Sequence, residues 1–298
     1  MTRSSPSVTA IILNWNNYDD THRCVESLSN IEYDIEIFVV DNGSTDNSVK
    51  KLRNSFPGIE ILKNNKNLGF AGGMNRGISE AKNNNSDYVL LLNNDVVVRD
   101  DPKLLSKLVY TAESNSNVGV VSPKILNYPQ IESTWFEYGR VDLRDGTVTQ
   151  SLESDTEKER ITNDFIPLCF CLVDMDTVSE VGMIPEGYFL YFEDIDYSKR
   201  IRNAGFELVT RLDLHVYHEH SGSSEGVYSP TPTYYLTRNR WFFLNKYSNY
   251  WPIYPLYYLK WVLWRVRKEI LDGESEFIPI ILGVYHAIIK KKGKGPYP

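Results

Sequence analysis

The sequence predicts an α/β fold with a Rossmann-like, mainly parallel central sheet flanked by helices, followed by a helical C-terminal appendage. Short apolar runs alternate with helical patterns in the N-terminal part of the chain, and this alternation is typical of βαβ units. Asn, Asp or Gly residues follow the apolar runs. Because right-handed crossovers return parallel strands in one direction, we expect these polar loops to converge on one edge of the sheet.

One apolar run predicts both a central strand and a candidate binding residue, because a carboxylate follows it. Residues 88–92 are apolar or aromatic and lead into Asn93, Asn94 and Asp95, a pattern that fits a strand buried on both faces. Open α/β sheets bind ligands at the carboxyl ends of their strands. Asp95 is therefore a candidate metal ligand. The alternative is an aspartate that caps a turn or the helix near Asp100.

The remaining elements follow from the same patterns. Apolar runs predict strands at residues 8–13, 35–40, 59–62 and 118–121, and a return strand at residues 165–173. Helices are predicted at about residues 20–28, 47–54, 70–82 and 104–114, with a hairpin that turns at Asp145-Gly146. Residues 216–224 are predicted as a polar loop, and helices are predicted from about Tyr234 onward.

Length and composition exclude several classes of protein. A chain of 298 residues with 42% hydrophobic residues is long enough to bury a core. The net charge of -7 argues against a nucleic-acid binder. The three cysteines form neither a disulfide framework nor a zinc pattern, which favours a reducing compartment. Residues 1–7 do not resemble a signal peptide, and no segment reaches the roughly 20 apolar residues of a membrane span.

Two segments have the composition of a nucleotide-binding site. Asp41 follows the second predicted strand, where it could accept a hydrogen bond from a pyrimidine base; the alternative is a polar turn. Residues 67–77 contain four glycines around a helix start. Glycine permits close backbone approach, and a helix N-terminus favours anions; the alternative is a helix packed tightly on a strand. The run matches neither the dinucleotide nor the P-loop fingerprint.

Three carboxylates begin a predicted helix behind an aromatic run. Glu193, Asp194 and Asp196 fall in its first turn, where an ionised carboxylate could act as a general base. The helix dipole is expected to lower the pKa of such a group rather than raise it. The alternative is an acidic helix start without a catalytic role.

Three histidines lie close together in the sequence. They are His215, His218 and His220, and neutral imidazole is a common ligand of divalent metals. A lone histidine is usually structural, but this cluster accompanies Asp95. None of the pairs has the H-E-x-x-H spacing, which argues against zinc-protease chemistry.

These motifs, in this order, resemble the family 2 glycosyltransferases of the GT-A fold, in particular the rhamnosyltransferase-like enzymes. The resemblance spans about residues 8–250 and rests on ILNWN at 12–16, VVDNGSTD at 39–46, NLGFAGGMN at 67–75, LLNND at 91–95, FLYFED at 189–194 and VYH at 216–218. Each motif is degenerate alone, but their common order makes the resemblance specific. Residues 93–95 depart from it, with one carboxylate where many relatives have two.

The resemblance implies a reaction and a role for each matching residue. The enzyme would move a sugar, with inversion, from a UDP- or dTDP-sugar to a glycan or lipid-linked acceptor. Asp194 would be the catalytic base, and Asp95 with His218 would bind Mg²⁺ or Mn²⁺. The donor would be bound by Asn14, Asp41, Asn67, Gly72, Asn75 and Asn94. The acceptor side would include Tyr188, Tyr191 and Glu193.

The chain is predicted to form a catalytic domain and a helical appendage. Residues 1–233 would be the catalytic domain, with a nucleotide-sugar half at about 1–121 and an acceptor half at about 122–233; residues 234–298 would be the appendage. In the appendage four aromatic residues follow helical spacing: Tyr254, Tyr258, Trp261 and Trp264. Basic residues lie among them and after them in the sequence. This pattern suits peripheral contact with a membrane interface, at the inner face of the cell membrane of a cytoplasmic protein. Packing on the catalytic domain, or on a second subunit in a homodimer, is the alternative.

Two other functions share some of these features. A sugar nucleotidyltransferase would have a similar sheet and metal, but would need a basic pyrophosphate-binding loop early in the chain, and residues 14–17 carry no such charge. A non-catalytic carbohydrate-binding protein would not need Asp95, Asp194 and His218 together.

Overall fold

The computed structural model describes residues 5–130, 133–151, 157–219, 229–271 and 277–297, with side chains described as far as residue 268 in the fourth range. Within these residues the strands are β1 (Val8–Asn14), β2 (Ile35–Asp41), β3 (Glu60–Lys63), β4 (Tyr88–Asn93), β5 (Val96–Val97), β6 (Val118–Tyr128), β7 (Thr134–Phe136), β8 (Arg140–Asp142), β9 (Thr147–Thr149), β10 (Arg160–Thr162), β11 (Phe170–Asp174) and β12 (Glu207–Glu219). The helices are α1 (Tyr18–Leu28), α2 (Ser48–Ser55), α3 (Gly69–Asn83), α4 (Leu104–Glu113), α5 (Met175–Val181), α6 (Glu193–Asn203), α7 (Pro230–Tyr247), α8 (Ile253–Leu271) and α9 (Phe277–Ile288), with a short 3-10 helix at Glu186–Tyr188.

A mixed sheet in the order β10-β12-β6-β11-β4-β1-β2-β3 runs through the molecule. Strands β4, β1, β2 and β3 are parallel to one another, β6 and β12 are also parallel, and β11 is antiparallel to both of its neighbours. Asn14 pairs with Asp41, and Leu13 pairs with Asn93. The polar ends of β1, β2 and β4 therefore share one edge, as predicted.

The predicted elements of the N-terminal half are confirmed to within a few residues. Strand β4 is buried on both faces, and the apolar residues of β1 next to it are buried except for the half-buried Leu13, which explains why both strands appear in the sequence as continuous apolar runs. The hairpin around Asp145-Gly146 is also present, because β8 and β9 pair on either side of it. The predicted return strand is shorter than expected, since β11 begins only at Phe170.

The prediction of a polar loop is wrong for residues 216–219, which belong to a strand. Strand β12 continues to Glu219, paired in parallel with β6 as far as Tyr128. The cross-strand pairing with β6 and β5 overrides the polar composition of this segment, and Val216 is fully buried. Residues 220–224 of the predicted loop, including His220, lie outside the described residues.

The C-terminal segment forms the helices α7, α8 and α9, and α7 packs against both of the others. Helix α7 also contacts the segment before α6, because Arg238 and Asn239 donate hydrogen bonds to backbone carbonyls within residues 188–191. Among the described residues, no helix combines the length and the apolar character needed to cross a membrane.

Candidate functional site

A relay of hydrogen bonds joins the polar ends of three parallel strands. The Asn94 amide donates to the hydroxyl of Thr21 at 3.0 Å, and that hydroxyl lies 2.9 Å from Oδ1 of Asn14. The Asn14 amide in turn donates to Asp41 at 3.0 Å. Asn14 and Asp41 are almost fully buried. The structure thus brings three of the predicted donor-site residues together, and adds Thr21, which sequence reasoning missed.

Asn42 fastens the next part of the predicted donor site. Its amide donates to Oδ1 of Asn67 at 3.1 Å and to the carbonyl of Gly69 at 3.0 Å, and its own Oδ1 accepts from the Leu68 amide. The loop that leads into α3 is therefore tied to the end of β2. The sequence analysis did not select Asn42. Its position directly after Asp41 is the feature of the sequence that could have identified it.

The glycines of α3 mainly permit close packing. A Cβ at Gly73 would lie 2.2 Å from Cδ1 of Leu13, and one at Gly77 would lie 2.4 Å from Cγ2 of Ile11. A Cβ at Gly72 would lie 2.7 Å from the Leu68 Cβ. Tight packing of a helix on β1 accounts for Gly73 and Gly77, and donor binding by Gly72 stays a prediction.

Asn75 has a structural role in the described residues. It is buried, and its amide donates to the Ile184 carbonyl and to Glu186 at 2.9 Å each, while its Oδ1 accepts from the Ile184 amide at 3.0 Å. Asn75 therefore ties α3 to the segment before the 3-10 helix. Its predicted contact with a donor has no support in this geometry.

Asp95 and His218 meet because β5 pairs with β12. His218 lies opposite Val96 in this antiparallel pair, and the Glu219 amide donates to the Asp95 carbonyl at 2.7 Å. As a result Oδ1 of Asp95 lies 3.1 Å from Nε2 of His218. The two side chains are only 15% and 9% exposed, so the pair is largely shielded from water.

This pair fits a hard divalent cation. Adjacent ligands of an octahedral ion with bonds of about 2.1 Å are separated by about 3.0 Å, which matches the observed 3.1 Å. Oδ1 of Asp95 is buried and makes no hydrogen bond within the described residues. Across the described part of the chain, no group of three or more His, Cys, Asp or Glu side chains converges to hold a metal. A cation here would take two protein ligands, with substrate oxygens and water as the others.

The sequence analysis did not predict the ion-pair cluster that lies next to His218. Glu219 is buried, and it accepts from Nε of Arg23 at 2.9 Å and from the guanidinium of Arg99. The Trp135 ring lies 4.9 Å from the His218 ring. These contacts tie the end of β12 to α1 and to the segment after β5, and so hold His218 in place.

Helix α6 carries two carboxylates whose proton affinities are shifted. Burial raises the pKa of Glu193, and the neighbouring negative charge of Asp194 adds to the effect. Burial also raises the pKa of Asp194, and it outweighs the hydrogen bond that Asp194 accepts from the Ile195 amide at 2.8 Å. The expectation of a lowered pKa is therefore wrong, because desolvation exceeds the effect of the helix start. A raised pKa suits a base that accepts a proton near neutral pH.

Tyr188 and Asp196 are hydrogen-bonded to each other. Tyr188 is buried, and its hydroxyl donates to Asp196 at 2.8 Å; its place on the acceptor side stays a prediction. Asp196 is also buried and accepts from Arg200, Lys246 and Tyr247. It joins α6 to α7. Tyr191 is half-buried, and its acceptor contact stays a prediction.

The Cys169 thiol responds to the charges of both Asp95 and Asp194, which are almost a hundred residues apart in sequence. Burial raises the pKa of this thiol, and the negative charges of Asp95, Cys171 and Asp194 raise it further. The Cys169 carbonyl also accepts from the Asn93 amide at 2.8 Å.

Known proteins resemble this chain in sequence. The family model described as Glycosyl transferase family 2 matches residues 9–173. The low-salt glycan biosynthesis hexosyltransferase Agl10 of Haloferax volcanii is 24% identical over 299 residues, which cover 96% of this chain and 92% of that protein. An N-acetylglucosaminyl-diphospho-decaprenol L-rhamnosyltransferase of Mycobacterium tuberculosis is 24% identical over 216 residues, which cover 65% of this chain and 69% of that protein.

Solved structures share the fold. The structure of GalNAc-T7 with UDP, GalNAc and Mn²⁺ superposes with a TM-score of 0.65 at 15% identity, and covers 97% of this chain and 58% of that one. The mannosyltransferase PcManGT from Pyrobaculum calidifontis, in complex with GDP-Man and Mn²⁺, superposes with a TM-score of 0.60 at 13% identity, and covers 96% of this chain and 88% of that one. At these identities the likeness bears on the fold alone, which is the predicted GT-A fold.

Proposed function

Because the chain belongs to glycosyl transferase family 2 and is a glycosyltransferase, we propose that it moves a sugar from a UDP- or dTDP-sugar to a hydroxyl of a glycan or lipid-linked acceptor, with inversion at the anomeric carbon. The observation that carries this proposal is the largely shielded pair Asp95–His218, whose spacing suits Mg²⁺ or Mn²⁺. We assign residues 1–233 to the catalytic domain and residues 234–298 to the helical appendage.

The donor side of the site would bind the nucleotide diphosphate. A divalent cation held by Asp95 and His218 would neutralise the diphosphate as negative charge develops on it. Asp41 and its hydrogen-bonded neighbour Asn14 would face the base and ribose. Asn67, fixed by Asn42, would lie beside the phosphates.

The acceptor side would supply the proton transfer. Asp194 would take the proton of the acceptor hydroxyl while that oxygen attacks the anomeric carbon. The bond from the anomeric carbon to the diphosphate oxygen would break on the opposite face, and the diphosphate would leave with the electron pair. Because burial raises its pKa, Asp194 would be a stronger base than an ordinary aspartate. Glu193, which stays protonated to higher pH than an ordinary glutamate, would leave that proton transfer to Asp194.

Two substitutions separate the metal role from the base role. We expect Asp95→Ala to weaken Mn²⁺ binding, measured calorimetrically in the presence of UDP, and to abolish turnover. We expect Asp194→Asn to leave Mn²⁺ and donor binding unchanged and to lower the rate by about 10²-fold or more, as for loss of a general base. Asp176→Ala, an exposed aspartate on α5, is the control.

The outcomes of a nucleotide-sugar screen distinguish the rival functions. Release of nucleoside diphosphate from a UDP- or dTDP-sugar supports glycosyl transfer. Release of pyrophosphate would indicate a nucleotidyltransferase, and binding without turnover would indicate a carbohydrate-binding protein. If Asp194→Asn lost donor affinity instead of rate, Asp194 would belong to the donor site and would not be the base.

We also propose that the C-terminal helices lie on an anionic membrane surface. Helix α9 exposes an apolar face, and exposed lysines follow it directly; these residues are Ile278, Ile281, Tyr285, Ile288 and Ile289, then Lys290, Lys291, Lys292 and Lys294. Helix α8, which packs beside α9, exposes Leu256, Leu259, Leu263 and Trp264. Apolar residues beside basic ones favour an interfacial position, and each lysine near such a surface contributes about 1 kcal/mol.

The aromatic stripe of the sequence prediction has a different role. Tyr254 and Tyr258 are buried, and both rings contact Trp241 of α7. Trp261 stacks under Arg240, with the guanidinium 4.3 Å from its ring. Packing within the chain therefore accounts for most of the stripe, and only Trp264 remains on the exposed face.

Vesicle co-sedimentation tests the membrane proposal. We expect wild type to bind acidic phospholipid vesicles more weakly as salt rises, and the double variant Ile281→Glu with Ile288→Glu to lose binding. Tyr110→Glu, at an exposed site on α4, is the matched control. If wild type ignores vesicles, and the double variant changes its oligomeric state, the apolar face is a dimer interface instead.

A further inference from the structure

Three residues before α6 have a backbone conformation that side chains disfavour. Phe189, Tyr191 and Phe192 have φ values of 69°, 64° and 74°. Such values are uncommon for residues other than glycine and persist only where surrounding contacts impose them. These residues connect the 3-10 helix to the first turn of α6, which carries Glu193 and Asp194. The direction in which Asp194 points therefore depends on what holds this segment, which we call the left-handed segment (residues 189–192).

Asn239 on α7 holds the left-handed segment from one side. Its Nδ2 lies 3.1 Å from the Tyr188 carbonyl, 2.7 Å from the Leu190 carbonyl and 2.9 Å from the Tyr191 carbonyl. Asn239 is fully buried, so water does not replace these bonds. Two amide hydrogens facing three carbonyls fix the curvature of the chain at this point.

Arg238 supports the same clamp. Its Nη2 donates to the Tyr188 carbonyl at 2.7 Å, and its Nε donates to Oδ1 of Asn239 at 2.9 Å. The second bond orients the Asn239 amide, because its oxygen accepts from Arg238 while its nitrogen faces the carbonyls. Arg238 is also fully buried, with its guanidinium near the rings of Tyr234 and Tyr235.

Helix α3 also holds the left-handed segment. The Phe70 amide donates to the Phe189 carbonyl at 2.9 Å, and a Cβ at Gly69 would lie 2.4 Å from that oxygen. The segment is thus bound both by the helix that begins at the predicted donor site and by the clamp on α7. Within the described residues, the carbonyls of Leu190 and Tyr191 have hydrogen bonds from Asn239.

We propose that Asn239 is a positioning residue for Asp194, which it orients through the carbonyls of the left-handed segment. The inference rests on the proposed function in naming Asp194 as the base, but the orientation of that carboxylate can be measured without substrate. Loss of the clamp would let the segment relax and would turn the start of α6 toward solvent. The base would then be misplaced, while the pair formed by Asp95, just before β5, and His218 on β12 would stay intact.

The test compares Asn239→Ala with Asn245→Ala. Asn245 lies on the same helix, is exposed, and accepts a hydrogen bond from Tyr254 at 2.9 Å, so it controls for substitution of an asparagine on α7. One readout is turnover of the nucleotide sugar that wild type accepts, as kcat and KM over a range of pH. The other is the ¹³C titration of the Asp194 carboxyl in the ligand-free protein, assigned with Asp194→Asn.

We expect Asn239→Ala to lower kcat at least tenfold, to leave the donor KM within threefold, and to move the Asp194 titration toward that of a free aspartate. Asn245→Ala should match wild type in all three. If Asn239→Ala does not fold, Asn239→Ser, which keeps one donor, should give a smaller change in the same direction.

Several results would overturn the proposal. An unchanged Asp194 titration in Asn239→Ala would do so, even if turnover and thermal stability fell together, because Asn239 would then be only structural. A KM effect without a kcat effect would place Asn239 in donor binding. If wild type turned over no nucleotide sugar but the titration moved as expected, the proposed function would fail while the clamp on Asp194 would stand.

Discussion

Replacing Glu193 by glutamine should stabilise the protein at neutral pH. The Glu193 side chain is 5% exposed, and its Oε2 has no hydrogen-bond partner within the described residues. Burial and the charge of Asp194 both raise the pKa of Glu193, so the folded protein holds a proton that the unfolded chain releases. Stability from this group is therefore fully present at acid pH, below the pKa of the unfolded glutamate, and it is lost as the pH rises toward the folded pKa.

Linkage gives the size of the effect. Each pH unit in which only the folded state holds the proton costs about 1.4 kcal/mol. Between the ordinary glutamate pKa of about 4.3 and pH 7, the loss reaches at most about 4 kcal/mol. Glutamine is neutral at every pH, so the Glu193→Gln variant does not lose this stability as the pH rises. The stability difference between Glu193→Gln and wild type should thus be smallest near pH 4 and should grow toward pH 7.

Urea unfolding at several pH values between 4 and 8 measures this difference. Glu180→Gln, at an exposed position on α5, is the matched control and should change stability by no more than about 0.5 kcal/mol at any pH. A difference between Glu193→Gln and wild type that stays constant across the range would refute the reasoning. It would mean that Glu193 is ionised in the folded protein and has a solvating partner.

Three further predictions follow from the contacts of the site. Asp196→Ala should lower the free energy of unfolding by about 3 kcal/mol, at the low end of the range for broken buried ion pairs, because Lys246 is 43% exposed; urea unfolding measures it. Gly77→Ala should cost about 1–3 kcal/mol through overpacking, whereas Gly58→Ala, which meets nothing within 4 Å, should not destabilise. Turnover should fall on acidification at a pH above the ordinary aspartate range, because burial raises the pKa of Asp194; a pH–rate profile checks this.

The apolar runs predicted the parallel half of the sheet well, because a strand that is buried on both faces has a continuous run of apolar residues in its sequence. The carboxyl ends of β1, β2 and β4 met at one edge as expected, since parallel strands leave little choice of direction. Asp41 and Asp95 could therefore be selected as candidates from position alone. His218 was selected by a resemblance and not by its pattern, because its neighbours His215 and His220 have the same composition around them.

Contacts between distant segments were not predictable from local pattern. The end of strand β12 has the sequence of a polar loop, because it is stabilised there by pairing with β6 and β5. Both partner strands are distant in sequence, so a short stretch of residues around β12 does not reveal the pairing. The same holds for Glu219, whose charge is compensated by Arg23 of α1 and by Arg99 of the segment after β5. The sign of the Asp194 pKa shift was missed for a related reason. The helix start is visible in the sequence, but the desolvation that outweighs it depends on the surrounding fold.

Helix α8 shows why aromatic spacing alone did not identify the exposed surface. Apolar side chains occur on both of its sides: Tyr254 and Tyr258 face α7, while Leu256, Leu259 and Leu263 are exposed. Periodicity marks a buried face only when the opposite face is polar, and here it is not. The apolar outer face and the local run of lysines next to it, in a chain of net charge -7, are the basis of the proposed contact with an anionic bilayer, which has both apolar and anionic character. Because the lysine-bearing tail also contacts Arg238, whose Nη1 donates to the Gly293 carbonyl at 2.7 Å, contact with such a surface would act close to the segment that we propose orients Asp194.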